Sequence, residues 1–207
     1  MISAEHAKFF THDWSITIPG RPSVRYSHMS LSCLDEWLAM YTNPANRPHD
    51  KVLRSKVWNE AEMKELRATT IEKHTTAQTK FDGLNIMVMV DGQLVGGGNY
   101  TLLSTGEVNI GLLFDESARG KGLGKLTMQV LIQLGRRMGI QRLEAGTMKS
   151  NQAMQALMAS LNIPGRDEIK EIPIRGVVAE ILWDIPETAD WEIDLQLEFG
   201  GPLAEKA

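Results

Sequence analysis

Apolar residues recur along this chain in two rhythms, a strand-like alternation in short runs and a helix-like spacing of three and four in longer ones. Residues 24–30 read as a first strand. Residues 34–41 read as a short helix with Leu34, Trp37, Leu38 and Tyr41 on one side, stopped by Asn43-Pro44. A polar, basic segment, 46–56, precedes a second helix over 58–78, in which Asn59 stands at a capping position and Met63, Leu66, Thr70 and His74 share a stripe. Two apolar runs, 84–90 and 93–103, are joined by Asp91-Gly92, a two-residue hairpin signal that makes them the second and third strands. The latter contains Gly96-Gly97-Gly98, which predicts a bulge or a close backbone approach. A fourth strand, 108–114, enters a glycine-rich turn, and a long helix over 125–138 leaves it. Strand, turn and helix then repeat over 142–148, 149–151 and 152–161, with Met154, Leu157, Met158 and Leu161 on one side of the helix.

Residues 165–173 have no decisive period, but 176–185 and 191–199 read as strands joined by a hairpin loop at 186–190. In the last of them Trp191, Ile193, Leu195, Leu197 and Phe199 alternate with Glu192, Asp194, Gln196 and Glu198, predicting one buried and one acidic face. Residues 1–20 lack a period and end in Pro19-Gly20, so they are expected as an arm that precedes the domain and packs through Phe9, Phe10 and Trp14.

A chain of 207 residues is long enough to bury one sizeable core. Its 26 acidic against 22 basic residues leave a net charge of -4 and no basic face for nucleic acid. No apolar run approaches the length of a membrane span and no signal-peptide pattern opens the chain, so a cytoplasmic or nuclear protein is expected, with no membrane partner. The single cysteine, Cys33, excludes an internal disulfide and a cysteine cluster. The histidines at 6, 12, 28, 49 and 74 lack metal-ligand spacing, so no metal site is expected.

The candidate chemistry lies between the fourth strand and the helix after it, at Arg119-Gly120-Lys121-Gly122-Leu123-Gly124. Unpaired N–H groups at a helix start, with the positive end of the helix dipole, attract anions, and glycines let an anion come close. A dinucleotide fingerprint requires G-x-G-x-x-G, whereas the glycines at 120, 122 and 124 run G-x-G-x-G. A P-loop requires a hydroxyl after its Gly-Lys pair, and Leu126 stands there.

The spacing that does match is Arg-x-x-Gly-x-Gly at 119, 122 and 124, which resembles the acetyl-CoA pyrophosphate loop of the GNAT superfamily of N-acyltransferases. "NIGLLFDESARGKGLG" is similar to that family's fourth strand and loop, and "NQAMQALMASLNI" to its later helix motif. The resemblance covers roughly 21–185. It implies an α/β (α+β) GNAT fold: a mixed, mostly antiparallel sheet of about seven strands flanked by helices and splayed between the fourth and fifth strands. On this reading 1–20 is the arm, 21–185 the acetyltransferase domain, and 186–207 an extra C-terminal strand and tail of the same domain.

The resemblance further implies acetyl-CoA as cosubstrate, with no metal. The pantetheine arm would lie along Leu112, Leu113 and Phe114, and the pyrophosphate on backbone N–H groups of Arg119, Gly120, Lys121, Gly122, Leu123, Gly124 and Lys125. Asn151 matches the family's pantetheine contact and is equally placed to cap the following helix. The reaction implied is direct acetyl transfer to a primary amine, on a small molecule or at a protein or peptide N-terminus, by a monomer or homodimer. An amine with a pKa of about 10.4 loses its proton at neutral pH at a cost of about 4.6 kcal/mol, so a base is useful.

Here the chain departs from its relatives. The ribosomal-protein N-terminal acetyltransferase branch often carries E-I-G-Y where this chain has Asn109-Ile110-Gly111-Leu112. Glu107 on the same strand and Glu144 on the next are the replacement base candidates, with Asn109 beside them. The family's acid tyrosine is replaced by Met158, leaving Tyr100 and Tyr26 as alternatives. The missing groups keep two other readings open: different acyl-CoA chemistry such as decarboxylation, and a noncatalytic CoA-binding module.

Overall fold

The computed structural model describes residues 3–172, 176–187 and 192–203. The elements run α1 (Ala4–Thr11), β1 (His12–Thr17), β2 (Val24–His28), α2 (Leu34–Thr42), α3 (Lys51–Ser55), α4 (Glu60–Lys80), β3 (Gly83–Val90), β4 (Gln93–Leu102), β5 (Val108–Phe114), α5 (Leu123–Arg137), β6 (Leu143–Met148), α6 (Gln152–Ser160), β7 (Gly165–Ile172), β8 (Gly176–Ile185) and β9 (Gln196–Pro202). Among the described residues nine strands form one sheet in the order β7-β8-β6-β5-β4-β3-β2-β1-β9. Only β5 and β6 are parallel neighbours in that set. Among the described residues no helix is long and apolar enough to cross a membrane.

Two strands exceed the expected seven. Residues 12–17, expected in a leading arm, form β1, an inner strand between β2 and β9 with Trp14 and Ile16 buried in the main core. Its alternation is only six residues long, too short to stand out against the polar residues between. The other addition is β7, whose Arg166, Asp167, Glu168, Lys170 and Glu171 suit an edge strand that must discourage further pairing.

The C-terminal expectation is corrected as well. β8 and β9 do not form a hairpin: β8 lies between β6 and β7, while β9 pairs with β1 on the opposite side of the sheet. Strand geometry begins at Gln196 rather than at Trp191, which lies outside the described residues. The expected buried face is not realised within β9, where only Leu197 is half-buried; Leu195, just before the strand, joins the main core with Trp14 and Ile16, and the Phe199 ring meets Phe9 edge-on at 5.1 Å.

The two sheet faces are buried unequally. α5 covers one face, with Met128, Leu131, Ile132 and Leu134 fully buried against Tyr26, Ile86 and Ile110. Burial pushes the Tyr26 phenol up to about 12, and its hydroxyl shares a 3.2 Å bond with Thr127. α2 and α4 cover the other face through a smaller cluster of Met29, Leu34, Leu38 and Met87. The start of α4 is fixed by a capping box: Glu62 N–H donates to Asn59 Oδ1 at 2.9 Å and Asn59 N–H donates to Glu62 Oε2 at 3.0 Å.

Of the two alternatives expected for the triple glycine, the glycines themselves take the close approach, and a bulge stands beside them at Val95. The β3–β4 register shifts between Val88 and Met89, and each glycine admits a side chain that a Cβ would exclude. A Cβ at Gly96 would stand 2.3 Å from the Phe114 ring, at Gly97 2.5 Å from Trp37, and at Gly98 2.7 Å from Leu131. Three empty positions thus let α5, α2 and the end of β5 all press onto β4. We expect Gly98→Val to destabilise the protein by about 1–3 kcal/mol, read as a lower urea midpoint with an unchanged slope.

At the end of β2, His28 is buried with its ring 5.3 Å from that of His74, and its Nδ1 is 2.9 Å from the Met29 carbonyl oxygen. Burial, reinforced by the neighbouring His74, lowers the His28 pKa from 6.5 to about 4. The unfolded chain therefore binds this proton first as pH falls. The stabilisation is intact above about pH 6.5 and is lost toward pH 4, reaching about 3 kcal/mol. Unfolding curves across this window should steepen in wild type and flatten in His28→Phe; parallel curves would remove His28 as the cause.

Candidate active site

β5 and β6 pair only at Val108 with Leu143, Asn109 with Glu144 and Ile110 with Ala145. Beyond these residues β5 stays on β4 as far as Phe114, while β6 stays on β8 as far as Met148. The strands therefore part at Gly111 and Gly146. On its open side β5 leaves backbone donors and acceptors from Gly111 to Phe114 without a ladder partner.

A cleft of about 480 Å³ occupies the gap. One wall is Leu112, Leu113 and Phe114, and the other is α6 with Asn151, Met154 and Leu157. One end is formed by the turn before α5, through Arg119, Gly120, Gly122, Leu123, Gly124 and Lys125. Gly120 and Gly122 take left-handed conformations, φ 73° and 76°, and nothing lies within 4 Å of where their Cβ atoms would stand. Gly122 occupies the cap position of α5 and makes no side-chain cap bond, whereas α4 and α6 are capped by Asn59 and Asn151. The N–H groups opening α5 are thus left free toward the cleft.

The glycine at 124 has a second duty. A Cβ there would approach Leu157 Cδ1 to 3.2 Å, so its absence brings α5 against α6 and narrows the cleft. The expected cations divide their work: Arg119 Nη2 donates to the Ala45 carbonyl at 2.9 Å and Lys125 Nζ to the Ser160 carbonyl at 2.9 Å. Lys121 is exposed and is not among the residues lining the cleft. Asn151 accepts from Met154 N–H at 3.1 Å and donates to Thr147 Oγ1 at 3.0 Å while lining the cleft, so capping and lining coexist.

On the opposite face of the sheet, Asn109 and Glu144 are register partners, and Asn109 Nδ2 donates to Glu144 Oε1 at 3.2 Å. Glu144 is 7% exposed. Glu107 is separated from this pair. It precedes β5 and is ion-paired with Arg142, and a hydrogen bond with Thr105, assisted by Arg142, holds its carboxyl below the usual range. The tyrosine alternatives are core residues. The Tyr100 hydroxyl donates to the Leu131 carbonyl and burial drives its pKa far up, Tyr26 is engaged with Thr127, and Met158 is fully buried.

A second cavity, of about 460 Å³, lies on this same face between α4 and strands β3 and β4. Its floor includes Asn85, Asn99 and Thr101.

Sequence reasoning did not anticipate the part played by 43–50. Asn46, Pro48 and His49 line the cofactor-sized cleft, and buried Asn46 ties this loop to the end of β5. Its Nδ2 donates to the Met40 carbonyl at 3.0 Å and to Asp115 Oδ2 at 3.4 Å, and its Oδ1 accepts from Glu116 N–H at 2.8 Å. No spacing announces such a residue, because its partners lie 6, 69 and 70 positions away.

A splayed sheet with an uncapped, glycine-led helix at the fork defines an acetyltransferase architecture. The chain belongs to the acetyltransferase (GNAT) family, whose model matches residues 36–162, more than half its length. Solved structures share the fold at low identity. An acetyltransferase of Salmonella typhimurium that modifies the N-terminal serine of ribosomal protein L7/L12 is 16% identical with a TM-score of 0.63, over 83% of this chain and 99% of that one. The ribosomal-protein-S5-alanine acetyltransferase of Vibrio fischeri is 15% identical with a TM-score of 0.61, over 82% and 96%. The putative acetyltransferase yncA of Salmonella typhimurium, solved with acetyl-CoA, is 14% identical with a TM-score of 0.60, over 83% and 98%. No curated protein sequence matches the chain significantly.

Replacing Asn46 by Ala should leave Glu116 N–H and Asp115 without their buried partner. We expect a loss of about 1–3 kcal/mol in thermal unfolding, and an unchanged melting temperature would refute the staple.

Proposed function

We propose that the chain is an acetyl-CoA-dependent N-acetyltransferase that moves an acetyl group directly to a primary amine, on a small molecule or at a protein N-terminus. The observation that carries this reading is the half-paired strand: β5 offers unpaired backbone groups along one wall of a cleft that ends at an uncapped helix start. A pantetheine arm is a chain of amides, which such a strand edge can bind as it would another strand. A pyrophosphate suits the N–H groups and glycine surfaces at 119–125, with the exposed Lys121 adding positive charge to the same turn.

Acetyl-CoA supplies an acyl group activated as a thioester. In this chain Glu144 is the residue fitted to remove a proton from the attacking amine. It is buried, it faces the side of the sheet opposite α5, and it stands one register step before the strands part. Asn109 fixes one carboxylate oxygen and leaves the other for the amine or a bridging water. Glu107 is the poorer base because its hydrogen bond with Thr105 and its pairing with Arg142 favour the carboxylate. The structures of ribosomal-protein acetyltransferases with this fold support an N-terminal acceptor, and the acceptor is otherwise open to small amines.

Two measurements test the reading. Gly122→Glu places a carboxylate at the helix start and forces a side chain into φ 76°, so CoA affinity by titration calorimetry should fall at least about tenfold. Glu144→Gln should lower kcat by about 10²–10⁴-fold while CoA affinity holds, and Glu107→Gln should change kcat little. Binding of acetyl-CoA without transfer to any amine in a broad panel would instead make the protein a CoA-binding module.

A further inference from the structure

One side chain of the cavity between α4 and the sheet reaches the strand that carries the candidate reaction centre. Asn99, on its floor, rests its carboxamide on β5: a Cβ at Gly111 would lie 2.3 Å from Asn99 Oδ1. Gly111 is the first β5 residue past the fork. Asn99 Nδ2 donates to Thr101 Oγ1 at 3.0 Å, Thr101 is the register partner of Asn109, and Asn109 bonds Glu144. In the other direction Asn99 pairs across the ladder with Asn85 of β3. A band of amides and hydroxyls thus crosses β3, β4 and β5 to the buried carboxylate on β6, a span of about 14 Å.

The band is partly open to solvent, with Asn85 and Asn99 half-buried and Thr101 exposed, so its amides and hydroxyls can meet an incoming ligand. Trp37 and Leu66 supply apolar wall, and Thr70 adds another hydroxyl from α4. The ionisable lining is balanced, with Lys73 against Asp82, and burial holds His28 and His74 below their usual pKa. About 460 Å³ is room for a small ligand or a few residues of peptide.

We propose that this cavity is the acceptor's specificity pocket, and that it selects a primary amine carried on an uncharged body rich in hydrogen-bonding groups, with Asn99 and Asn85 as the selecting residues. The proposal rests on the acyltransferase reading for the identity of the amine. The binding chemistry is independent of it: a carboxamide offers both a donor and an acceptor, which fits amides or hydroxyls and gives a polycation no counter-charge beyond Asp82. A polyamine would also leave the asparagine acceptors to compete with water for each ammonium.

The test is calorimetric titration of the full chain, with and without CoA, using three amines: a neutral tetrapeptide amide with a free N-terminus, glucosamine and spermidine. At least one neutral-bodied amine should bind at least about tenfold more tightly than spermidine, and the preferred one identifies the source as amide or hydroxyl. Asn99→Leu and Asn85→Leu should each weaken that amine at least about tenfold while CoA affinity stays at the wild-type value, which also certifies their folding. The proposal is overturned if spermidine binds most tightly, if neither neutral amine binds, or if both leucine variants retain wild-type affinity for the amine. Absence of CoA binding in the wild type would instead sink the acyltransferase reading and leave the pocket's preference to be judged by the amine titrations alone.

Discussion

Beyond Ile110, β5 is hydrogen-bonded on one side only, and both candidate binding regions depend on that asymmetry. An internal strand normally satisfies its backbone from both neighbours. Here β4 holds β5 to its last residue while β8 holds β6 to its last residue, so the two inner strands are drawn apart by partners that each extend further than their shared contact. The fork is a consequence of pairing lengths. α5 and α6 then wedge into it, with Gly124 and Leu157 at the point of contact. The result is a cleft whose wall is made of unpaired main chain instead of side chains.

Glycines do two different jobs around that fork. At 120 and 122 they permit left-handed backbone in open space, which shapes the turn. At 96, 97, 98, 111 and 135 they remove a Cβ so that something else can approach: Phe114, Trp37, Leu131, Asn99 and Leu143 respectively. The second set is what lets β4 and β5 be covered closely on both faces despite carrying few large side chains. Gly135 also admits the Tyr100 ring beneath α5, where its hydroxyl finds the Leu131 carbonyl. That placement is why a tyrosine near the site in sequence is unavailable to it in space.

Legibility in the sequence follows the range of the interaction concerned. The Asp91-Gly92 hairpin, the Asn59 cap, the α5 and α6 helices and the glycine turn are set by neighbours a few residues apart, and each is readable from its own segment. β1 and β9 are not, because their partners lie far away in the chain and only the completed sheet rewards them. Residues 12–17 looked like an arm since six alternating residues carry little signal, and the strand near 191–199 looked like half of a hairpin since proximity in sequence was the only guide to its partner. Asn46 shows the same limit within the site. Its side chain joins a loop to β5, and nothing in the residues around it reveals the connection.

The choice between the two glutamates turns on register, which sequence does not carry. Glu107 and Asn109 lie two positions apart, and from spacing alone they belong to one face. The chain before β5 instead places Glu107 against Thr105 and Arg142, and the Thr105 hydrogen bond, assisted by the Arg142 cation, weakens it as a base. Glu144 reaches Asn109 only because Val108 pairs with Leu143; a shift of one residue would turn Glu144 toward α5 and present Ala145 in its place. The three-pair contact that ends at the fork therefore fixes both the opening of the cleft and the residue standing at its edge. In the proposed reaction the same short stretch of parallel pairing that makes room for the thioester also sets the distance from it to the base.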